Sequence, residues 1–406
     1  MQANPLQSEW VLEQLKQVAQ HHQENSGVTR RLAGKTGQQV CCFITELMQN
    51  LGLVVHTDTA GNLIGRYGPD GSQELPSVMT GSQLDATPAA GNYDGILGVL
   101  CSLAAVKTLQ GYGDIRHPLE VVAFAAENPG CYNLANVGSK AMAGLISDQS
   151  WKKMQEQECE SAAPVLADKQ IRSAMRPKNS IKAFLSLQSE QGRILEQGPV
   201  SIGIVEKISA PTRLKITVNG QAGSAGGPPL AERQDPMVSA AMIVLAVRDI
   251  AADYDYQGTV ATVTALKTYP GITALIPAVV EMWVEINGTE QEGIIDILQA
   301  IKDAVSMIAD DHDTPVAIEV IASAKPLTLD QTIINMMESV CHDLRLSSLC
   351  LDDRIGYDVV NMAHIAPAGL ILIPAGEADG RNSRPAQAAL SAGLDVLTAM
   401  LYRLAK

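Results

Sequence analysis

Short β-type runs alternate with helical apolar patterns at both ends of this chain, and a stretch of different character interrupts them in the middle. This broken alternation limits the fold more than any other feature of the 406 residues. From Ser8 to Leu51 apolar positions recur at helical spacing (Val11, Leu12, Leu15, Val18, then Cys42, Ile44, Leu47, Met48) and stop at Gly52, which predicts two helices. β-type runs follow at 54–57, 62–67, 77–80 and 119–124, with a helix expected from Leu97 toward Leu109. Around Arg213 strand-like stretches (214–218, 260–268, 279–286) take over, accompanied by helical patterns at 237–251 and 292–307. After Ala324 the first style resumes, with a helix expected at 328–344, an apolar strand at 369–374 and a last helix at 385–404. The reading is an α/β fold, with a discontinuous α/β domain of residues 1–210 and 326–406 and an inserted α+β domain of residues 211–325.

Composition agrees. Hydrophobic residues make up 46% and charged residues 18%, which excludes a disordered or coiled-coil chain. Aromatic content is only 4%, so Ala, Val, Leu and Ile must fill the core, as in helices flanking a sheet. A net charge of −14 without a basic patch argues against nucleic acid and against anionic membranes as partners. The longest apolar run, Ala240 to Val247, is far shorter than the roughly 18 residues of a membrane span. The first residues lack a basic start and apolar stretch, so a soluble cytoplasmic protein is expected. The seven cysteines are scattered with no C-x-x-C pair, and read as reduced thiols, mostly in the core.

Three loops are expected to place polar groups directly after apolar strands, where α/β enzymes assemble their sites. The first runs Gly81-Ser82-Gln83-Leu84-Asp85 and continues to Gly91-Asn92-Tyr93-Asp94-Gly95-Ile96-Leu97-Gly98. The second is Ala126-Glu127-Asn128-Pro129-Gly130 and the third Leu187-Gln188-Ser189-Glu190-Gln191-Gly192. Together with Gly220-Gln221-Ala222-Gly223-Ser224-Ala225-Gly226, Pro270-Gly271-Ile272-Thr273-Ala274 and Gly356-Tyr357-Asp358, they follow one family's motifs in order and spacing. The chain resembles the zinc-dependent aminoacylase superfamily, in particular its allantoate amidohydrolases and N-carbamoyl-L-amino-acid hydrolases. The resemblance runs from the N-terminal helices to Pro385. It implies a catalytic α/β domain and a smaller lid domain through which members commonly form homodimers.

Active members of that family hold two zinc or manganese ions with three histidines, an aspartate and a glutamate. By the resemblance, Asp94 matches the bridging aspartate, while Gln83, Gln188 and Ser383 stand at histidine positions and Asn128 at the glutamate. Ser224 stands at a lid histidine, Ala274 at an asparagine, Asn287 at a substrate-gripping arginine and Cys131 at another arginine. Glu127 matches the family's general acid/base, and Asp85, Gln191 and Asp358 are also retained. The expectation is a degraded di-metal site with no resident metal and no cofactor. Glu127 and Asp94 would perform acid/base chemistry on a small amide-, amidine- or imine-like molecule. Gln83, Asn128, Gln188, Gln191, Ser224, Asn287, Tyr357 and Ser383 would bind it. The alternatives are a catalytically silent homologue that binds a small molecule or an active paralogue, and an ordinary metal-dependent C–N hydrolase with an atypical site.

Other features invite plainer readings. Gly91, Gly95 and Gly98 suit a tight turn and close helix packing rather than a dinucleotide fingerprint. A Ser383–His364–Asp358 arrangement is not favoured, since sequence proximity says nothing about geometry, and Cys131 is better read as a packed thiol than as a nucleophile. The run Asp310-Asp311-His312-Asp313 reads as a solvated loop tip.

Overall fold

The computed structural model describes residues 5–20, 35–69, 71–85, 93, 95–125, 135–148, 150, 171–191, 194–254, 258–353, 357–376 and 385–406. The opening helices are α1 (Pro5–Ala19) and α2 (Lys35–Asn50). Val40, Ile44 and Met48 form a buried stripe along α2, and the chain leaves that helix through Gly52 at a φ of 76°. Next come β1 (Val54–Thr57), β2 (Leu63–Tyr67), β3 (Ser77–Gln83), α3 (Ile96–Leu109), β4 (Leu119–Phe124), α4 (Val137–Met142), β5 (Ile181–Ser189) and β6 (Ile202–Ile208). The inserted segment holds β7 (Ala210–Asn219), β8 (Gly223–Ser224), α5 (Pro236–Tyr254), β9 (Val260–Tyr269), β10 (Leu275–Ile276), β11 (Val279–Gly288), α6 (Gln291–Asp311), β12 (Val316–Ser323) and β13 (Leu327–Thr328). The chain ends with α7 (Gln331–Leu344), β14 (Ser348–Asp353), α8 (Val359–Met362), β15 (Ala368–Ile373) and α9 (Gln387–Ala405).

The fold is the expected α/β type with an α+β insertion. The chain divides into one unit of Met1–Glu206, Leu329–Leu351 and Tyr357–Lys406 and a second of Lys207–Thr328 and Asp352–Gly356. At the centre of the first unit, four parallel strands lie in the order β4-β3-β5-β15, with β2 antiparallel to β4 and β6 antiparallel to β15. All residues of β3, β4 and β15 are buried, as a sheet covered on both faces requires. α1, α3, α7 and α9 pack together, and α3 and α9 also lie against the strands. α3 presses close because Gly98 has no side chain: a Cβ there would stand 2.6 Å from the Leu187 carbonyl oxygen and 2.8 Å from Ser82 Cβ. By length and composition α9 could cross a membrane, yet most of its apolar window is buried against these neighbours, which marks a core helix.

The second unit is an antiparallel sheet in the order β12-β7-β11-β9. Leu214, Ile216, Val218, Val280, Met282, Val284 and Ile286 alternate along β7 and β11 onto its buried face. Against them pack Ala240, Ile243 and Val247 of α5 and Ile294, Ile297, Ile301 and Val305 of α6. α6 runs further than expected and takes up Asp310 and Asp311. The last turn exposes both carboxylates to water, so the acidic run is a helix end rather than a loop.

Candidate functional site

The parallel strands deliver their polar residues at their carboxyl ends, the position where open α/β sheets bind ligands. Gln83 is the last residue of β3 and Gln188 the penultimate residue of β5. Both were expected in loops. They lie instead in strands, because the ladder continues past the apolar run while both faces of the sheet stay covered. Gly95, at a φ of 72°, allows the approach to α3 to pass tightly over Gln83: a Cβ there would sit 2.5 Å from Gln83 Cγ.

The structure brings Gln83 and Gln188 together. Gln188 Nε2 donates to Ser82 Oγ at 2.5 Å and lies 3.5 Å from Gln83 Oε1, while Ser82 Oγ donates to Gln83 Oε1 at 2.6 Å. Both carboxamides are buried. Gln83 Nε2 is enclosed with no hydrogen-bond partner among the described residues. Gln191, just beyond β5, is exposed, whereas the intervening Glu190 is buried and accepts from the backbone amides of Ile194 and Leu195.

A second polar cluster surrounds Asp358, at the start of α8. Its Oδ1 accepts from Ser139 Oγ at 2.5 Å and Asn136 Nδ2 at 3.2 Å, and Asn361 Nδ2 donates to Ser139 Oγ at 2.8 Å. Asp358 Oδ2 is buried with no hydrogen-bond partner among the described residues. Burial pushes the Asp358 carboxyl up to about 6 and the charge of Asp85 adds to this, while the two hydrogen bonds and Lys140 act in the opposite direction. Tyr357, expected to bind substrate, is buried beside it in sequence. His364 is exposed, and its Nδ1 lies 2.9 Å from the Val360 carbonyl oxygen in its own turn. The bonds Asp358 makes to Ser139 and Asn136 belong to another arrangement than the Ser-His-Asp one considered from sequence.

Sequence reasoning missed Asn136, Ser139 and Asn361, and it also missed Asn62. The Asn62 side chain accepts from the Ala125 backbone amide at 3.0 Å and donates to the Gly138 carbonyl at 3.0 Å and to Asp58 Oδ2 at 2.8 Å. It thereby ties the end of β4 to the start of α4. The only sequence signal was a polar amide opening an otherwise β-type run.

In the second unit, Ser224 is exposed on a two-stranded ribbon, paired with Leu275. Asn287 lies on the half-exposed face of β11, where its Nδ2 donates to Glu285 Oε1 at 3.0 Å. Asp94, Glu127, Asn128, Cys131 and Ser383 lie outside the described residues. Of the five cysteines described as free, Cys101 and Cys341 are buried, Cys41 and Cys350 are half-buried and Cys42 is exposed. The core therefore takes fewer of them than expected, because Cys42 falls off the buried stripe of α2.

A doubly covered parallel sheet with buried amides and carboxylates at its strand ends, interrupted by an α+β unit, defines a two-unit α/β architecture with its polar groups at the carboxyl ends of the strands. The model of peptidase family M20/M25/M40 matches residues 84–403, and the chain belongs to that family. It is 30% identical over 397 residues to the N-carbamoyl-L-amino acid amidohydrolase of Geobacillus stearothermophilus, covering 95% of each chain. It is 29% identical over 394 residues to the ureidoglycolate hydrolase of Oryza sativa subsp. japonica, covering 93% of this chain and 80% of that one. The solved structure of AtUAH in complex with (S)-hydroxyglycine is similar with a TM-score of 0.87 at 27% identity, over 98% of this chain and 97% of that one. An amidase of the hydantoinase/carbamoylase family from Burkholderia vietnamiensis gives a TM-score of 0.85 at 25% identity, over 100% and 98% of the two chains.

Proposed function

We propose that the chain is a repurposed, metal-independent member of this family that acts on a small amide-, amidine- or imine-like substrate. Glu127 moves the proton and Asp94 is its partner. The observation that carries the reading is the contact of Gln83 with Gln188 through Ser82, at the ends of β3 and β5. A pair of divalent transition metals does not fit these donors. Neutral carboxamides that are hydrogen-bonded to a serine and to one another offer weak oxygens and no charge. Among the described residues no group of three or more His, Cys, Asp or Glu side chains is placed to hold an ion.

Two facing carboxylates without a bound cation repel, so one of the Glu127–Asp94 pair would hold a proton near neutral pH and be ready for acid/base work. Gln83, Asn128, Gln188, Gln191, Tyr357 and Ser383 would orient the substrate from the first unit. Ser224 and Asn287 are proposed to bind it as well. The names of the relatives, N-carbamoyl-L-amino acid amidohydrolase and ureidoglycolate hydrolase, support a carbon–nitrogen bond as the target class.

A homodimer through the second unit completes the proposal. α5 exposes Met237, Val238, Met242 and Leu245, and β9 is an edge strand of its sheet, so a second copy could pair β9 with β9 and cover that helix.

The experiment is turnover of small amides, amidines and imines by wild type and by Glu127→Gln, with metal analysis and a chelator arm. Glu127→Gln should lower turnover by roughly 10² to 10⁴, with an unchanged far-UV spectrum, and chelator should leave wild type unaffected. Two equivalents of bound transition metal, or loss of activity on chelation, would restore an ordinary metal-dependent hydrolase. Absence of turnover on every substrate would leave a silent binding homologue.

A further inference from the structure

We propose that Asn62 is a positioning residue for the proposed reaction: its side chain fixes the point at which the chain leaves β4 toward Glu127, and Asp58 fixes the side chain of Asn62. This rests on the reading of Glu127 as the proton carrier and names what holds its chain in place.

The first observation is how the β4 ladder ends. Leu63 opposite Ala123 is the last backbone rung between β2 and β4. Beyond it the Asn62 carboxamide takes over: Oδ1 accepts from the Ala125 amide at 3.0 Å, and Nδ2 donates to the Gly138 carbonyl at 3.0 Å. The Ala125 carbonyl accepts from the Gly138 amide at 3.0 Å, so both backbone polar groups of Ala125 are bound. The fit is close, since a Cβ on Gly138 would stand 2.1 Å from Asn62 Oδ1. Glu127 is two residues further along the chain, so its Cα falls within about 7 Å of this anchored residue. An acid/base group displaced by about 1 Å can lose roughly 100-fold in rate.

The second observation is that the carboxamide can point only one way. Asn62 is 0% exposed, and its Nδ2 also donates to Asp58 Oδ2 at 2.8 Å. Asp58 Oδ1 accepts from the backbone amides of Ala60 and Asn62, both at 2.9 Å, which ties the carboxylate to the turn. A carboxylate accepts and does not donate, so the Asn62 nitrogen has to face Asp58 and Gly138, which leaves the oxygen for the Ala125 amide. In Asp58→Asn an amide nitrogen must face N–H groups on one side or the other, and the orientation of Asn62 is no longer fixed. Packing alone would not require such an orienting partner.

The test is steady-state turnover of the amides, amidines and imines by the full-length protein, with hydrogen exchange of residues 123–139 followed by mass spectrometry on the same samples. The variants are Asn62→Ala, Asp58→Asn and the swap Asn62→Asp with Asp58→Asn. Each of the first two should lower kcat by about 10- to 100-fold with KM changed less than about 3-fold, and should speed exchange of that stretch about 10-fold. The swap again sets a donor against an acceptor between positions 58 and 62 and keeps an acceptor for the Ala125 amide, so it should recover most of kcat and of the protection. Unchanged kcat in Asn62→Ala, a rise in KM alone, or a swap no better than Asp58→Asn overturns the inference. If Asn62→Ala does not fold, Asp58→Asn and the swap decide the matter. If wild type turns over none of the substrates, the role of Glu127 falls and the exchange measurement decides whether Asn62 holds this chain. Protection lost in Asp58→Asn and regained in the swap supports that hold, and unchanged protection overturns it.

Discussion

Each unit contains an Arg–Glu pair directly opposed across antiparallel strands, and the two pairs are built for different purposes. In the first unit Arg66 of β2 opposes Glu120 of β4; in the second Arg213 of β7 opposes Glu285 of β11. Glu120 is 2% exposed and fully engaged: Arg66 Nη1 at 2.8 Å, Arg176 Nη2 at 3.0 Å and Ser77 Oγ at 2.7 Å. Glu285 is about a quarter exposed, and its partners are Arg213 Nε at 2.6 Å and Asn287. On the same open face Lys215 pairs with Glu281, and the ammonium groups of Lys215 and Lys267 lie over the ring of Trp283. A sheet buried on both faces can admit a carboxylate only when every oxygen is matched, whereas a half-solvated sheet can carry charges loosely because water completes their shells.

The largest effect should come from Glu120→Gln, which leaves two guanidinium groups facing a neutral amide in a buried setting. A loss of about 3–5 kcal/mol is expected, read by denaturant unfolding, and a loss below about 1 kcal/mol would show that water reaches the cluster and would erase the contrast.

Asp358→Asn sharpens the comparison from the other side, because this buried carboxyl has hydrogen bonds but no salt-bridged cation among the described residues. Its folded-state value of about 6 lies above the ordinary 3.8. Between those values the folded protein holds a proton that the unfolded chain has released. Wild-type stability should therefore fall as pH rises from about 4 to 6, and the variant should not show this fall. Above pH 6 the variant should be more stable by an amount on the order of 1–3 kcal/mol. Thermal melts across that range decide it, and parallel wild-type and variant profiles would contradict the assignment.

The smallest effect belongs to Arg213→Ala. A change within about 1 kcal/mol is expected, shrinking further in high salt; a larger, salt-resistant loss would mean that the open face of the second unit is covered in solution.

Much of the architecture could be read from periodicity. The wholly apolar run of α3, the alternation in β7 and β11, and the return to α/β style after the insertion each leave a local pattern. Runs with weaker local signals, such as β6 and β14, did not stand out, because they become strands by pairing with a distant neighbour. The site was legible only as a set of positions. That Gln83 and Gln188 meet follows from β3 and β5 being adjacent parallel strands, a fact of topology separated by a hundred residues of sequence. The cluster around Asp358 was hidden for the same reason, since Asn136 and Ser139 lie more than two hundred residues from it. Asn62 carried no distinguishing signal: an asparagine at the head of a strand is usually a turn residue.

Asn62 has one more consequence, for how this protein can change. With its side chain bonded to Ala125 and Gly138, and with the Gly138 amide bonded to the Ala125 carbonyl at 3.0 Å, the two ends of the segment bearing Glu127, Asn128 and Cys131 are fastened independently of that segment's own sequence. Closing a loop between fixed posts depends only weakly on its length, about 0.6 kcal/mol for each doubling. Residues 126–134 can thus be rewritten, lengthened or grafted from a relative while that fastening holds, whereas Asn136, which donates to Asp358, has to stay. A lineage can discard one chemistry at this point and try another without first relearning how to fold.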